Sequence, residues 1–226
     1  MFRTTLSVLA LCVLSACAAP PLDDAGPGQV TRAEAARYEG MWDDGIWVPP
    51  VDGRYLGPDT VRREVAYWSD EPPGTIVVDP YARYLYLIQG DNRALRYAVA
   101  VGEAGKAFSG NAVIAFGREW PRWTPTRNML RSDPELYEPH RGGMEGGLEN
   151  PLGARALYLY RNGRDTLYRI HGTPYPWSVG RAASSGCIRL YQQDIIDLYQ
   201  RVGHEGTRVK VLNAAQSGEG TGPLSG

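Results

Sequence analysis

Between Arg62 and Gly117 the chain runs as a series of short segments rich in Val, Ile, Tyr and Leu: Thr75–Val78, Arg83–Gln89, Leu95–Val101 and Asn111–Gly117. Turn compositions separate them at Asp79-Pro80, Gly90-Asp91-Asn92 and Gly102–Gly105, and no segment of helix length intervenes. Short strands that follow one another this closely pair with their neighbours, so the rhythm points to a mainly β fold, an antiparallel β-sandwich or barrel. The alternation of Tyr84 and Tyr86 with Leu85 and Leu87 is that of a strand covered on both faces. With 226 residues, 43% of them hydrophobic, the chain can bury one good core and at most a small appendage.

The rhythm returns at Ala156–Tyr160 and Leu167–Ile170, joined by Arg161-Asn162-Gly163-Arg164, whose Asn-Gly is a strong hairpin signal. His171 therefore ends a strand. In Gln192–Val202 the residues Ile195, Ile196, Leu198, Tyr199 and Val202 fall on a helical stripe, ended by Gly203 and Gly206. Arg208–Leu212 reads as a last strand, and residues 214–226 as a Gly/Ser-rich disordered tail. One or two short helices are thus expected in all. Between the two strand groups, Arg118–Gly153 is a long Pro- and Gly-rich insertion carrying Trp120 and Trp123. A loop of this length inside a compact domain is usually functional or disordered. Its aromatic and arginine content points to an ordered lid over a site, with Trp120 and Trp123 as substrate contacts; the alternative is that both tryptophans only cap the core.

The N-terminus reads as an export signal. Met1-Phe2-Arg3 is a short positive start, Leu6 to Leu14 is apolar but short for a bilayer span, and Ser15-Ala16 precede Cys17. The run Leu14-Ser15-Ala16-Cys17 resembles a bacterial lipobox, which implies that residues 1–16 are a signal peptide and that Cys17 is lipid-modified. An ordinary secretory cleavage near Ala18-Ala19 is the alternative. Ala18, where an aspartate would otherwise signal retention, favours the outer membrane. Residues 17–61, rich in Pro, Gly, Asp and Ala, read as a tether, partly docked through Trp42 and Trp47, with a turn or two of helix in Thr31–Tyr38.

Removal of Cys12 with the signal and lipidation of Cys17 leave Cys187 as the one thiol of the folded part, without a disulfide partner. A lone thiol kept in an exported protein is exposed to oxidation, which favours a chemical role. A net charge of -1, with no run of Lys or Arg, argues against nucleic-acid binding. Of 24 basic residues only Lys106 and Lys210 are lysines; the arginine excess fits either genomic codon bias or bidentate grips on carboxylates. Cys187 with His140, His171 and His204 offers no close ligand pair, so neither a metal nor another cofactor is expected.

The candidate site is His171–Leu190, HGTPYPWSVGRAASSGCIRL. A cysteine attacks as thiolate and needs a base close by, with N–H donors aimed at the developing oxyanion. His171 can supply the base and the Ser185-Gly186-Cys187 turn the donors. The histidine precedes the cysteine by 16 positions, and Pro174, Pro176, Gly180 and Gly186 suit a loop that leaves a strand end and returns. A backbone carbonyl can serve as the third member by fixing the ring's tautomer.

The pattern His171-Gly172-Thr173, Gly180, then Ser184-Ser185-Gly186-Cys187-Ile188-Arg189-Leu190 followed by Asp194 resembles the signature of the L,D-transpeptidases, the YkuD-type catalytic domain. Asn150–Leu157 is similar to that family as well, and the resemblance covers roughly Gly74 to Leu212 within a catalytic domain placed at 62–213. The resemblance implies a YkuD-type β fold and a peptidoglycan enzyme serving cell-wall organisation and cell shape. Cys187 would be acylated by the diaminopimelate carbonyl of a tetrapeptide stem, releasing D-alanine, and the acyl group would pass to an acceptor amine. It further implies His171 as general base and acid, the Gly172 carbonyl as its orienting partner, and the Gly186-Cys187 backbone as oxyanion hole. Arg189 would support the loop or meet a substrate carboxylate. Many members carry histidine or asparagine where this chain has Ser185, so the role of that position does not transfer directly. The expected partners are peptidoglycan stem peptides and, through Cys17, the membrane, in the periplasm at the outer membrane. An L,D-carboxypeptidase using water as acceptor and an idle, peptidoglycan-binding lipoprotein remain as alternatives.

Overall fold

The computed structural model describes residues 29–102, 108–183 and 186–222. The signal peptide, Cys17, Ser184 and Ser185 lie outside the described residues. Strands are β1 (Met41–Asp43), β2 (Ile46–Val48), β3 (Arg63–Ala66), β4 (Ile76–Asp79), β5 (Tyr84–Gly90), β6 (Arg93–Ala98), β7 (Ala100–Gly102), β8 (Gly110–Glu119), β9 (Arg155–Arg161), β10 (Arg164–Gly172), β11 (Ala182–Ala183), β12 (Ile188–Leu190) and β13 (Arg208–Val211). Helices are α1 (Arg32–Ala36), α2 (Arg127–Ser132), α3 (Pro134–Tyr137) and α4 (Gln192–Arg201).

β1 and β2 form a hairpin closed by Asp44 and Gly45, both at positive φ (49° and 76°). The remaining strands form one sheet in the order β11-β7-β12-β10-β9-β8-β13-β4-β5-β6-β3. The mainly β expectation holds, and most pairings are antiparallel. Three are parallel: β10 with β12, β7 with β11, and β4 with β13. The Asn162-Gly163 turn joins β9 to β10, both residues at positive φ as the hairpin signal requires (50° and 73°).

β5 shows how the pattern builds the core. Leu85 and Leu87 join the main cluster with Ile76, Leu157, Ile170 and Val209, and α4 adds Ile195, Leu198 and Tyr199 to the same cluster. Tyr86 and Ile88 face the other way, into a second cluster where Tyr86 stacks on Tyr67 at 4.4 Å. Each fully buried Leu or Ile contributes about 1.5–3 kcal/mol, so one face of α4 suffices to seat it.

The segments that flank the strand-rich region make defined contacts with it. Residues 29–61 pack on the sheet, but not through the tryptophans: Trp42 and Trp47 are exposed and lie against each other, 5.4 Å between ring centroids. The attachment is Val48 in the main core, Tyr38 buried beside Tyr191, and Asp43, whose carboxylate accepts two hydrogen bonds from Arg155 and one from Trp120 Nε1, all at 2.8 Å. Residues 213–222 are also in place. Asn213 caps a short turn, and Ser217 and Gly218 donate to the buried Asp79 carboxylate. Composition is silent about such a carboxylate, because its partners lie far away in sequence.

The insertion is ordered in its described form. Thr126 and Asp133 cap α2 and α3 by accepting from Met129 N and Leu136 N. Trp123 and Met144 exchange two main-chain hydrogen bonds, and buried Asn150 donates from Nδ2 to the carbonyls of Pro121 and Glu145. Sequence reading anticipated one or two short helices; α1, α2 and α3 are single turns or little more, held by their caps rather than by a stripe.

Candidate active site

The parallel register of β10 and β12 gathers the site. Ile170 pairs with Ile188, His171 with Arg189 and Gly172 with Leu190. Side chains alternate along a strand, so Ile170, Ile188 and Leu190 enter the core. His171 and Arg189 therefore share the opposite face, Arg169 two positions back on β10 falls on it too, and Cys187, just before β12, is hydrogen-bonded by the main chain of Arg169. Sixteen residues of sequence are thus closed by one step of strand register. The returning loop is pinned on the way: Gly180 N donates to Val99 O, and β11 then pairs with β7.

His171 is buried, with Nδ1–H donating to the Gly172 carbonyl at 2.6 Å. This leaves Nε2 as the ring's acceptor. Burial is the largest influence on the ring and lowers its pKa to about 3; the Arg189 and Arg169 charges push the same way, and the carbonyls of Gly172 and Leu152 oppose them. Cys187 is partly buried. Burial raises its thiol pKa, against a main-chain hydrogen bond from Arg169 and the Arg169 and Arg189 charges. At neutral pH the resting pair is therefore a thiol and a neutral imidazole, not a preformed ion pair.

Arg169 is fixed by a bidentate pair with Asp165 at 2.8 Å and lies 4.3 Å above the Tyr158 ring. It was missed from sequence, although its place two residues before His171 on a strand is a readable signal. Arg189 lines a cleft with Trp123, Tyr137, Met144, Thr173 and Trp177, so strand, insertion and returning loop share one concavity. Of the two tryptophans expected there, Trp123 is in the cleft; Trp120 is held by Asp43 and packs against the core. Among the described residues no group of three His, Cys, Asp or Glu is placed to hold a metal ion.

Fold and site together define a mainly β domain in which a buried histidine ends β10 and Cys187, the one cysteine among the described residues, precedes the β12 strand paired with it, near an aromatic cleft. The chain belongs to the YkuD family, L,D-transpeptidase catalytic domain, whose model matches residues 73–211. A probable L,D-transpeptidase ErfK/SrfK of Escherichia coli is 34% identical over 158 residues, covering 69% of this chain and 46% of that protein. The chain thus spans about half the length of the curated relatives it matches first. A putative L,D-transpeptidase of Fuscovulum blasticum, from the ATP synthase subunits region, is 30% identical over 199 residues and is covered over 89% of its length, against 88% of this chain. A crystal structure from Brucella melitensis, described as a probable carnitine operon oxidoreductase, is 45% identical, with a TM-score of 0.48 over 67% of this chain and 94% of that one. A superposition at that score bears on neither chain's activity.

Proposed function

We propose that this chain is a peptidoglycan L,D-transpeptidase in which Cys187 is the nucleophile and His171 the general base and acid. The observation that supports this reading is the β10–β12 register, which pairs His171 with Arg189, two residues after Cys187, while the Gly172 carbonyl holds Nδ1. His171 Nε2 takes the thiol proton as sulfur bonds to the diaminopimelate carbonyl carbon of a tetrapeptide stem. The oxyanion is met by main-chain N–H groups at Gly186 and Cys187. Collapse breaks the peptide bond, and the imidazolium gives its proton to the departing D-alanine amine. An acceptor amine then attacks the thioester, surrenders a proton to Nε2, and sulfur leaves to be reprotonated.

Arg189 and Trp123, both on the cleft, are the groups assigned to substrate contact; Trp120 belongs to the docking of β1. The reading includes export and attachment to the outer membrane through lipid on Cys17. Incubation with purified tetrapeptide and an acceptor stem should give cross-linked product from the native chain and none from Cys187→Ala. Turnover by that variant would contradict the assignment, and uncross-linked tripeptide as sole product would mean that water is the acceptor. Labelling with radioactive palmitate, lost in Cys17→Ser, checks the anchor.

A further inference from the structure

Helix α4 opens with a glutamine that the reaction just described does not use. Gln192 is 8% exposed, and its Oε1 accepts a hydrogen bond from Ala154 N at 2.8 Å. That donor fixes the amide orientation, since a flipped amide would set N–H against N–H. Nε2 is buried with no hydrogen-bond partner among the described residues. The carboxamide lies between two glycines. A β-carbon at Gly172 would come within 2.3 Å of Oε1, and one at Gly153 within 2.4 Å of it. Gly153 is additionally at φ +63°, where a side chain is strained.

These glycines belong to the two main-chain segments that hold the His171 ring. Gly172 supplies the carbonyl bound to Nδ1, and Leu152, directly before Gly153, supplies the second backbone partner. One side chain therefore spans both segments, gripping Ala154 by hydrogen bond and Gly172 by close contact. A buried amide nitrogen without a hydrogen-bond partner costs stability. An apolar side chain of similar volume would remove that cost but strip the buried Ala154 N–H of its acceptor, so the residue is held here by its hydrogen bond and not by packing alone.

We propose that Gln192 is a positioning residue for His171: wedged between Gly153 and Gly172, it fixes the backbone carbonyls that select the ring's tautomer and aim Nε2 at Cys187. The idea rests on the reading of His171 and Cys187 given above, and the test separates the two. Gln192→Met keeps the length and removes the acceptor; Gln192→Glu keeps an acceptor for Ala154 N–H. The measurements are the ¹⁵N spectrum of His171, assigned with His171→Gln, and the rate at which Cys187 is acylated by a carbapenem.

In the native chain and in Gln192→Glu, His171 should be a single neutral tautomer protonated on Nδ1. Gln192→Met should give a tautomer mixture and acylation slower by about tenfold or more, as expected when a base is displaced by a fraction of an ångström. An unchanged His171 spectrum in Gln192→Met overturns the proposal, whether or not the rate falls. If the native chain is not acylated, the functional reading fails, and the spectrum alone decides the positioning role. Should Gln192→Met not fold, Gln192→Asn takes its place: one methylene short of Ala154, it should show the mixture, and a native spectrum would overturn the idea.

Discussion

Two buried titratable groups meet the first turn of α4, and the fold treats them in opposite ways. His171, seated over Gln192 and Ile195 through Gly172, is kept neutral by burial, and the charges nearest it are cations that reinforce the effect. Asp194, inside the helix, is fully buried but meets partners on several sides. Arg62 donates to it at 3.0 Å, Tyr38 OH donates at 3.2 Å, and Asp197 sits close behind. Its pKa is raised to about 7, burial outweighing Arg62. The first group is a neutral ring held by main-chain carbonyls alone; the second is cross-braced by side chains and ties residues 38–62 to the helix.

The sharpest break between the two regions is functional. Cys187→Ala should abolish acylation completely while the melting temperature stays within a few degrees of native. His171→Gln should lower kcat/KM by about 10²- to 10⁴-fold with the fold intact, the range for loss of a general base. Next in size is a structural effect. Asp43→Ala leaves Arg155, 4% exposed, without its bidentate partner, and should cost about 3 kcal/mol in denaturant unfolding. Activity per folded molecule should not change, and a loss of kcat without loss of stability would show that the docked segment shapes the site.

The two groups also oppose each other in pH dependence. The folded pKa of His171 is lowered to about 3, so its contribution to stability is present above its unfolded value of about 6.5 and is lost as pH falls toward 3. Asp194 is raised to about 7, so its contribution is full below about 4 and is lost as pH rises toward 7. Between pH 4 and 6.5 the slopes cancel. Relative to the native chain, Asp194→Asn should lose stability on acidification through that window, and His171→Gln should lose it on the way up, each by up to about 1.4 kcal/mol per pH unit. Equal slopes in all three chains would show that neither group titrates as its surroundings dictate. The smallest effect is kinetic: because the imidazole is already neutral, kcat/KM should show no fall near pH 6.5, and an acid limb there that disappears in His171→Gln would contradict the burial of that ring.

Much of this was legible from local pattern. Period-two alternation located β4, β5, β9 and β10, the apolar stripe located α4, and thiol elimination pointed to Cys187. What escaped notice depends on contacts across long sequence separations. Asp43 reaches Arg155 over 112 residues and Ser217 reaches Asp79 over 138, so the segments that carry them read as tether and tail. β12 is three residues long, too short to show a period, yet its register against β10 is what brings Arg189, two residues after Cys187, opposite His171. Arg169 and Gln192 become visible only once that register and the glycine contacts are known.

The most direct measurement is the intact mass of the protein after brief mixing with a purified disaccharide-tetrapeptide, followed by peptide mapping. The expected result is a gain equal to the substrate less D-alanine, located on Cys187, slow to form in His171→Gln and absent in Cys187→Ala. A chain that releases D-alanine with no adduct at Cys187, or an adduct that survives Cys187→Ala, would contradict the assignment of this pair as nucleophile and base.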